Sequence, residues 1–379
     1  MMQKKSLAAL VATLFAVPFA AHADVTIYGF ISSGLESTKA TGATDGVNYN
    51  SRTRVTDNNS RLGFKGFEDL GNGTKAIWQV ESSLRNFEQG GTNDKGQSAT
   101  LATRNSFVGL DNSSFGQILV GQNDSAYKTL TYAGLDLFIN DTPENNGAAS
   151  VYSRGEARLT NSVHYFSPNW SGFQVGASYG VDEARTNNTN KNRISVAGNY
   201  TNGGLIAAVG YDRQNDTGLA NTGGTAVTTV AGQSTTYTKL AASYKFATGT
   251  LIGGGYEFGR YGTAAGSDLK QDDWTLSLSQ DYGAATFKLE YSQLGQLRGV
   301  SNPDDYKAKQ WTIGAYYALS KATTMYTYYT KITNNAAQNA NFANNAVYST
   351  AYSASPAVSA SLDKGNDPQA FGVGLKVAF

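Results

Sequence analysis

Residues 274–291 read WTLSLSQDYGAATFKLEY, and only an extended chain sorts them. Successive side chains of a strand point to opposite faces, so alternation has a period of two. Trp274, Leu276, Leu278 and Tyr282 then share one face, and Thr275, Ser277, Ser279 and Asp281 share the other. After the turn, Ala285, Phe287, Leu289 and Tyr291 alternate with Thr286, Lys288 and Glu290. One face is apolar with aromatic ends; the other is polar or charged throughout. A soluble sandwich alternates too, but its polar face meets bulk water. A closed barrel in lipid turns the same polar face into a lumen.

The pattern recurs along the chain. Residues 24–36 place Val25, Ile27, Ile31 and Leu35 opposite Thr26, Ser32 and Glu36. Residues 60–68 place Leu62 and Phe64 opposite Arg61 and Lys65, and residues 74–82 place Ala76, Trp78 and Val80 opposite Lys75, Gln79 and Glu81. Short turns alternate with long polar connections, expected near 39–59, 86–97, 122–157, 183–191, 215–235, 261–270, 297–306 and 333–367. Short turns at one end and long loops at the other mark an outer-membrane barrel. The last strand, 370–379, sets Phe371, Val373, Leu375, Val377 and Phe379 against Gly372, Gly374, Lys376 and Ala378. The expected count is 16 strands, an even number. Backbone groups in lipid have no water to pair with, so such a sheet must close. A ring of about 16 strands is too wide for side chains to fill, which leaves a water-filled channel. Glycines on the polar face (Gly63, Gly176, Gly253, Gly255, Gly372, Gly374) suit close backbone approach in a curved sheet.

Composition agrees. The 379 residues include 42 Gly, 23 Tyr and 17 Phe but 6 Pro and no Cys. Residues 1–23 read as a cleaved secretory leader: Lys4 and Lys5, an apolar run over 7–19, and Ala21-His22-Ala23 before Asp24. The domain proper is then 24–379. Losing the leader removes two of 30 basic residues and none of 29 acidic ones, so the mature chain carries about −1. That balance argues against nucleic acid as a partner. His164 is the one histidine after the leader, so no metal cluster and no cofactor is expected.

Residues 122–158 (QNDSAYKTLTYAGLDLFINDTPENNGAASVYSRGEAR) fit neither period. An unstructured connection of this length inside an ordered domain is uncommon unless it is functional. It carries Asp124, Asp136, Asp141 and Glu144, and the flanking strands carry arginines. The expectation is an all-β, 16-stranded antiparallel transmembrane barrel whose third loop folds inward to narrow the tube, with Leu137 and Phe138 either pinning it to the wall or sitting in a small local core.

Five segments in order, DVTIYG (24–29), SRLGFKGFEDL (60–70) with GTKAIWQVE (73–81), RNSFVGL (104–110), NSVHYFSP (161–168) and the terminal GVGLKVAF, resemble the general porins of Gram-negative outer membranes, in particular the β-proteobacterial branch. The resemblance spans the mature chain. It implies an outer-membrane homotrimer of 16-stranded barrels that passes ions and small hydrophilic solutes. It implies a constriction with a basic wall at Arg61, Arg104 and Arg158. Glu81 matches a lumen-facing acid, and Asp136, Asp141 and Glu144 are candidates for an opposing acidic face. Phe379 resembles the family's signal to the barrel-insertion machinery. Parity agrees with the strand assignments, because a charge at the bilayer midplane costs about 2–4 kcal/mol and must point inward.

Three other readings stay open. A hydrolase would need an acid orienting His164, and none is adjacent in sequence. A sugar-selective channel could stack substrates on Tyr-rich strands such as 322–331, although interface girdles account for tyrosines as well. An adhesin could use its outer loops, but none carries a motif; the Asn/Ala/Ser-rich stretch 334–360 is low in complexity and is expected to move freely.

Overall fold

The computed structural model describes residues 24–84, 101–183, 188–219, 227–347 and 362–379. The expected leader at 1–23 lies outside the described residues, as do the whole of the 86–97 connection and residues 348–361. The chain forms β1 (Asp24–Thr41), β2 (Tyr49–Asp57), β3 (Arg61–Gly71), β4 (Thr74–Ser83), β5 (Ser106–Asn112) and β6 (Gly116–Asp124). After a short helix α1 (Ala126–Leu130) come β7 (Arg158–Phe166), β8 (Phe173–Gly180), β9 (Arg193–Asn202) and β10 (Leu205–Gly218). The circuit ends with β11 (Thr228–Lys245), β12 (Thr250–Tyr261), β13 (Leu269–Tyr282), β14 (Ala285–Leu294), β15 (Ala308–Ala318), β16 (Thr323–Asn334) and β17 (Asp367–Ala378). β2 and β3 both pair antiparallel with β1, from β3 onward each strand pairs antiparallel with the next, and β1 pairs with β17 from Phe30–Ala378 to Thr41–Asp367. The Phe379 N–H donates to the Gly29 carbonyl (3.0 Å), and the Gly29 N–H returns the bond (3.1 Å). The barrel is thereby sealed at its last residue.

Seventeen segments make sixteen staves. β3 pairs with β1 over Asp24–Phe30 and β2 pairs with β1 over Ser33–Ala40, so the two are halves of one stave broken at residues 58–60. The expected loop over 39–59 is therefore mostly strand: β1 runs on to Thr41 and β2 answers it. This part of the hairpin carries Ser, Thr and Arg rather than an apolar alternation, which hid it. At the break, Asn59 adopts φ +60°. The Ser60 N–H is caught by the Asp57 carboxylate (3.0 Å), and the Asn58 side chain is carried into the lumen.

The burial pattern is that of a soluble protein turned inside out. Leu276 is 56 % exposed and Phe287 54 %, whereas Thr275 and Ser277, on the opposite face, are at most 3 % exposed. Outward side chains face hydrocarbon, so apolar exposure is favourable there. Inside, several glycines clear space for rings lying flat on the sheet. A Cβ at Gly63 would strike the Tyr28 ring, at Gly372 the Tyr328 ring and at Gly374 the Tyr326 ring, each within 2.5 Å.

Candidate constriction site

The third outer loop, residues 125–157, folds into the lumen and follows the wall from β8 to β16. Ser125 caps α1, its Oγ accepting the Lys128 N–H (3.2 Å). The Ala126 and Tyr127 N–H groups donate to Ser178 and Ser195 on β8 and β9 (2.8 Å each), and the Tyr127 hydroxyl donates to Glu257 on β12 (2.5 Å). Farther along, the Leu137 N–H donates to Glu290 (2.9 Å), Lys288 donates to the Leu137 carbonyl (2.6 Å), and Gln310 donates to the Pro143 carbonyl (2.8 Å). The return leg is held by Asp273, which accepts from the Ser153 N–H (2.9 Å), and by Glu257, which accepts from the Gly155 N–H (3.0 Å). Phe138 is fully buried with Tyr316, Tyr326 and Tyr328, and Leu137 packs beside them. The inward-folded loop and its Leu137–Phe138 pin are thus both present.

Because the loop hugs one side, the opposite wall is left uncovered. It carries the three expected arginines: Arg61 opens β3, Arg104 precedes β5 and Arg158 opens β7. The Arg104 Nε lies 2.5 Å from Glu81 Oε1, and Arg61 Nη1 lies 3.9 Å from the same oxygen. The Tyr28 hydroxyl donates to the other Glu81 oxygen (3.0 Å). Arg158 Nε donates to Asn105 Oδ1 (2.7 Å) and lies 3.2 Å from Asp124 Oδ1. The sequence reasoning missed Lys128, which reaches the same Asp124 oxygen at 3.5 Å. Lys128 sits four residues after Asp124 across the start of α1, a helical spacing that could have revealed it. Three wall arginines and Lys128 at the root of the third loop thus meet two carboxylates, Glu81 and Asp124. Toward the short-turn end the basic character continues: Arg61 and Lys376 lie 4.8 and 4.0 Å from the Phe30 ring centroid, and Lys65 lies 5.2 Å from the Tyr28 ring.

The acids divide differently from expectation. Glu81, expected to face the lumen, sits among the arginines. Asp136 is turned into its own loop, accepting from the Phe138 N–H (3.2 Å) and Asn146 (3.1 Å). Asp141 is turned to the wall, where Asn58 (3.2 Å) and the Tyr316 hydroxyl donate to it. Burial pushes the Asp141 carboxyl up to about 6, against the pull of the Tyr316 hydroxyl and of Lys288 and Lys376. Burial raises Asp136 further and raises Glu144 as well. Glu144 is the loop acid on the arginine side. Its Oε2 accepts the Asn140 N–H (2.7 Å) and Asn344 Nδ2 (2.5 Å), and Asn140, at φ +76°, turns its amide oxygen onto the Arg61 guanidinium. Asn59 bridges the gap, donating to Asn344 Oδ1 (3.3 Å) and accepting from Arg104 (3.3 Å). Nothing in the alternation pattern pointed to these asparagines; the signal was the Asn-Asn pair at 58–59 interrupting a strand.

The last outer loop departs most from expectation. Residues 335–347 are not free: they pack Ala340, Phe342 and Val347 against Val151 of the third loop. His164 is buried on β7 with Ser162 on one ring nitrogen and Ser178 on the other, 2.7 Å each, so neither nitrogen is left for an orienting acid. Among the described residues no group of three or more acids or histidines is arranged to hold a metal ion.

A closed sixteen-stave barrel with an internal loop defines the class of an outer-membrane porin, and the sequence bears that out. The family model described as Gram-negative porin matches residues 6–337, and the chain belongs to that family. Among curated relatives it is similar to the major outer membrane protein P.IB of Neisseria meningitidis (36 % identical over 217 residues, 56 % of this chain and 61 % of the relative). The same protein of Neisseria lactamica is 30 % identical over 326 residues, 85 % of this chain and 91 % of the relative. The chain spans about three fifths of the length of the first curated relatives it matches. Two solved structures share the fold. An anion-selective porin from Comamonas acidovorans superposes with TM-score 0.72 at 24 % identity, covering 94 % of this chain and all of that one. OmpT of Vibrio cholerae in a trimer form gives 0.65 at 15 % identity over 94 % and 99 % of the two chains.

Proposed function

We propose that the protein is a general diffusion pore with a preference for anions, passing ions and small hydrophilic solutes without a cofactor. Arg61, Arg104, Arg158 and Lys128 form its basic wall and Glu144 the facing charge. The observation that carries this reading is that Arg61, Arg104 and Arg158 on the β3–β7 wall, with Lys128 beside them at the root of the third loop, outnumber Glu81 and Asp124 by two. Rings of charged side chains at a constriction sort ions by sign. Asp136 and Asp141 act as anchors of the loop.

A sugar-selective channel would need its aromatics in the lumen. Tyr316, Tyr326 and Tyr328 do stack in sequence, at 5.7 and 6.1 Å between centroids, but they lie beneath the loop as the seat for Phe138. Hydrolysis at His164 finds no support, since both ring nitrogens serve the wall.

The wider reading follows from the same fold. The leader is removed before Asp24, where β1 begins, and Phe379, half exposed at the seam, serves as the insertion signal. The active form is a homotrimer joined through the β1–β2 face. That face presents Ser33, Ser37, Ser51 and Thr53 outward together with the exposed Leu35 and Val55, a mixed surface suited to a subunit contact.

The test is the single-channel current of the refolded protein in a planar bilayer, with the reversal potential under a KCl gradient. Stepwise openings favouring chloride are expected, with Arg61→Ala and Arg104→Ala each shifting the preference toward potassium. Openings indifferent to both substitutions would sink the wall assignment. Silence from a correctly folded barrel would sink the pore.

A further inference from the structure

The eighth outer loop, between β16 and β17, does more than cap the barrel. Among its described residues, Asn344 and Asn345 reach inward, and each holds two elements at once. Asn344 Nδ2 donates to Glu144 Oε2 (2.5 Å) and more weakly to the Asp141 carbonyl (3.4 Å), while its Oδ1 accepts from Asn59 (3.3 Å). Asn345 Nδ2 donates to Asn58 Oδ1 (2.8 Å) and to Thr142 Oγ1 (3.2 Å). The loop backbone continues the contact, the Asn341 N–H donating to the Ala149 carbonyl (3.0 Å).

What holds the loop tip down comes from the wall. Arg54 on β2 donates to the Ala346 carbonyl (2.8 Å) and to the Asn345 carbonyl. Its guanidinium is aimed by Glu36 on β1, 2.6 Å away and almost wholly buried. Glu36 is fixed in turn by the Tyr328 hydroxyl (2.7 Å). A charged pair taken out of water is sustained only where its hydrogen-bonding groups are met, and here both partners are met. Asn345 sits at φ +49°, a conformation asparagine tolerates better than most residues, which turns its carbonyl and its side chain in different directions.

We infer that the eighth loop is a second constriction element, and that Asn344 is a specificity-positioning residue that fixes the Glu144 carboxylate opposite the arginine wall. Arg54 and Glu36 set the height of the loop, and Asn344 transmits that height to the charge. The inference rests on the diffusion-pore reading. It adds that ion preference depends on a neutral amide from a loop whose composition reads as filler.

The experiment compares wild type, Asn344→Ala, Asn344→Gln and the pair Arg54→Ala with Glu36→Gln, which leaves no buried charge without its partner. Each full mature chain is refolded and measured in a planar bilayer under a KCl gradient. With Asn344→Ala, Glu144 loses one of two donors and swings toward Arg61. The chloride-over-potassium ratio then falls by about twofold, the scale of moving one charge a few ångströms in a watery pore, and open-channel noise rises. The Arg54/Glu36 pair gives the same change through the loop. Asn344→Gln keeps the amide and returns the wild-type ratio. Wild-type ratio and noise in both Asn344→Ala and the Arg54/Glu36 pair would overturn the inference and leave the pore intact. A Gln variant as altered as the Ala variant would overturn the role of the amide. Absence of steps in wild type would overturn the pore and this inference together.

Discussion

The two sides of the lumen obey one rule and reach opposite ends. On the β8–β16 side, the inward charges Glu257, Asp273 and Glu290 are buried to 2 % exposure or less, and each accepts a backbone N–H of the third loop. On the β3–β7 side, the inward charges Arg61, Arg104 and Arg158 stay partly exposed and meet the carboxylates of Glu81 and Asp124. Strand parity decides that a charge points in. Whether it anchors the loop or stays beside the open lumen is decided by which wall the loop covers. A buried carboxylate is tolerable only when hydrogen-bonded, so the covered wall must be matched donor by donor. The bare wall is held to no such match and is free to keep a surplus of one sign.

The sharpest way to break this contrast is to lift the loop. Phe138 is fully buried, and its ring lies 6.1 Å from Tyr316 and 5.6 Å from the Lys288 ammonium. Phe138→Ala removes a buried aromatic worth about 3–5 kcal/mol in a packed core. The loop should leave the wall, conductance should rise severalfold, and protease should cut within 130–150 in a barrel that is otherwise intact. A second variant reaches the same seat from the other side. A Cβ at Gly314 would stand 2.7 Å from the Phe138 ring, so Gly314→Val should give the same current without removing the ring. A conductance unchanged in both would mean that the backbone anchors alone hold the loop.

How much of this contrast could be read in advance follows from which forces leave a trace in sequence. Lipid imposes the alternation on every stave, so the barrel, its closure at Phe379 and the inward parity of Arg61 and Glu81 were legible. Where strands rise above the lipid, that constraint ends, and β2 with the top of β1 read as loop. Leu137 and Phe138 stood out as apolar residues in a polar connection. The roles of Asp136, Asp141 and Glu144 did not separate, because each depends on a partner more than 50 residues away or on a local turn. The asparagines at 58–59 and 344–345 left the faintest trace. Their partners, among them Asp141, Glu144, Thr142 and Arg104, lie far off in the chain, so nothing in local composition distinguishes them from spacer.

Acid should sharpen the contrast without touching a strand. Asp141 titrates near 6, and burial raises Glu144 in the same direction. As pH falls through about 6, Asp141 takes up a proton and the constriction becomes more positive, and the raised Glu144 acts in the same direction. Arginine does not titrate in this range. The chloride-over-potassium ratio should therefore rise between pH 7.5 and 5. Asp141→Asn should remove part of that rise, and a ratio equal at both pH values would show that the loop acids do not act on the pathway. Stability carries the matching sign. An acid whose folded pKa lies above its ordinary value favours folding most below that ordinary value, and the benefit is lost as pH rises through about 4 to 6.

The smallest effect is expected where neither wall is involved. Arg260 and Asp268 pair at 3.3 Å on the outer rim, with side chains 55 % and 40 % exposed. An exposed ion pair is screened by salt and contributes between 0 and about 1 kcal/mol. Arg260→Ala removes a cation as Arg104→Ala does, and the two differ only in place. If lumen position rather than net charge governs the current, Arg260→Ala leaves the reversal potential at its wild-type value while Arg104→Ala moves it. An equal shift from both would mean that the whole-protein field sorts the ions, and the bare wall would lose its special role.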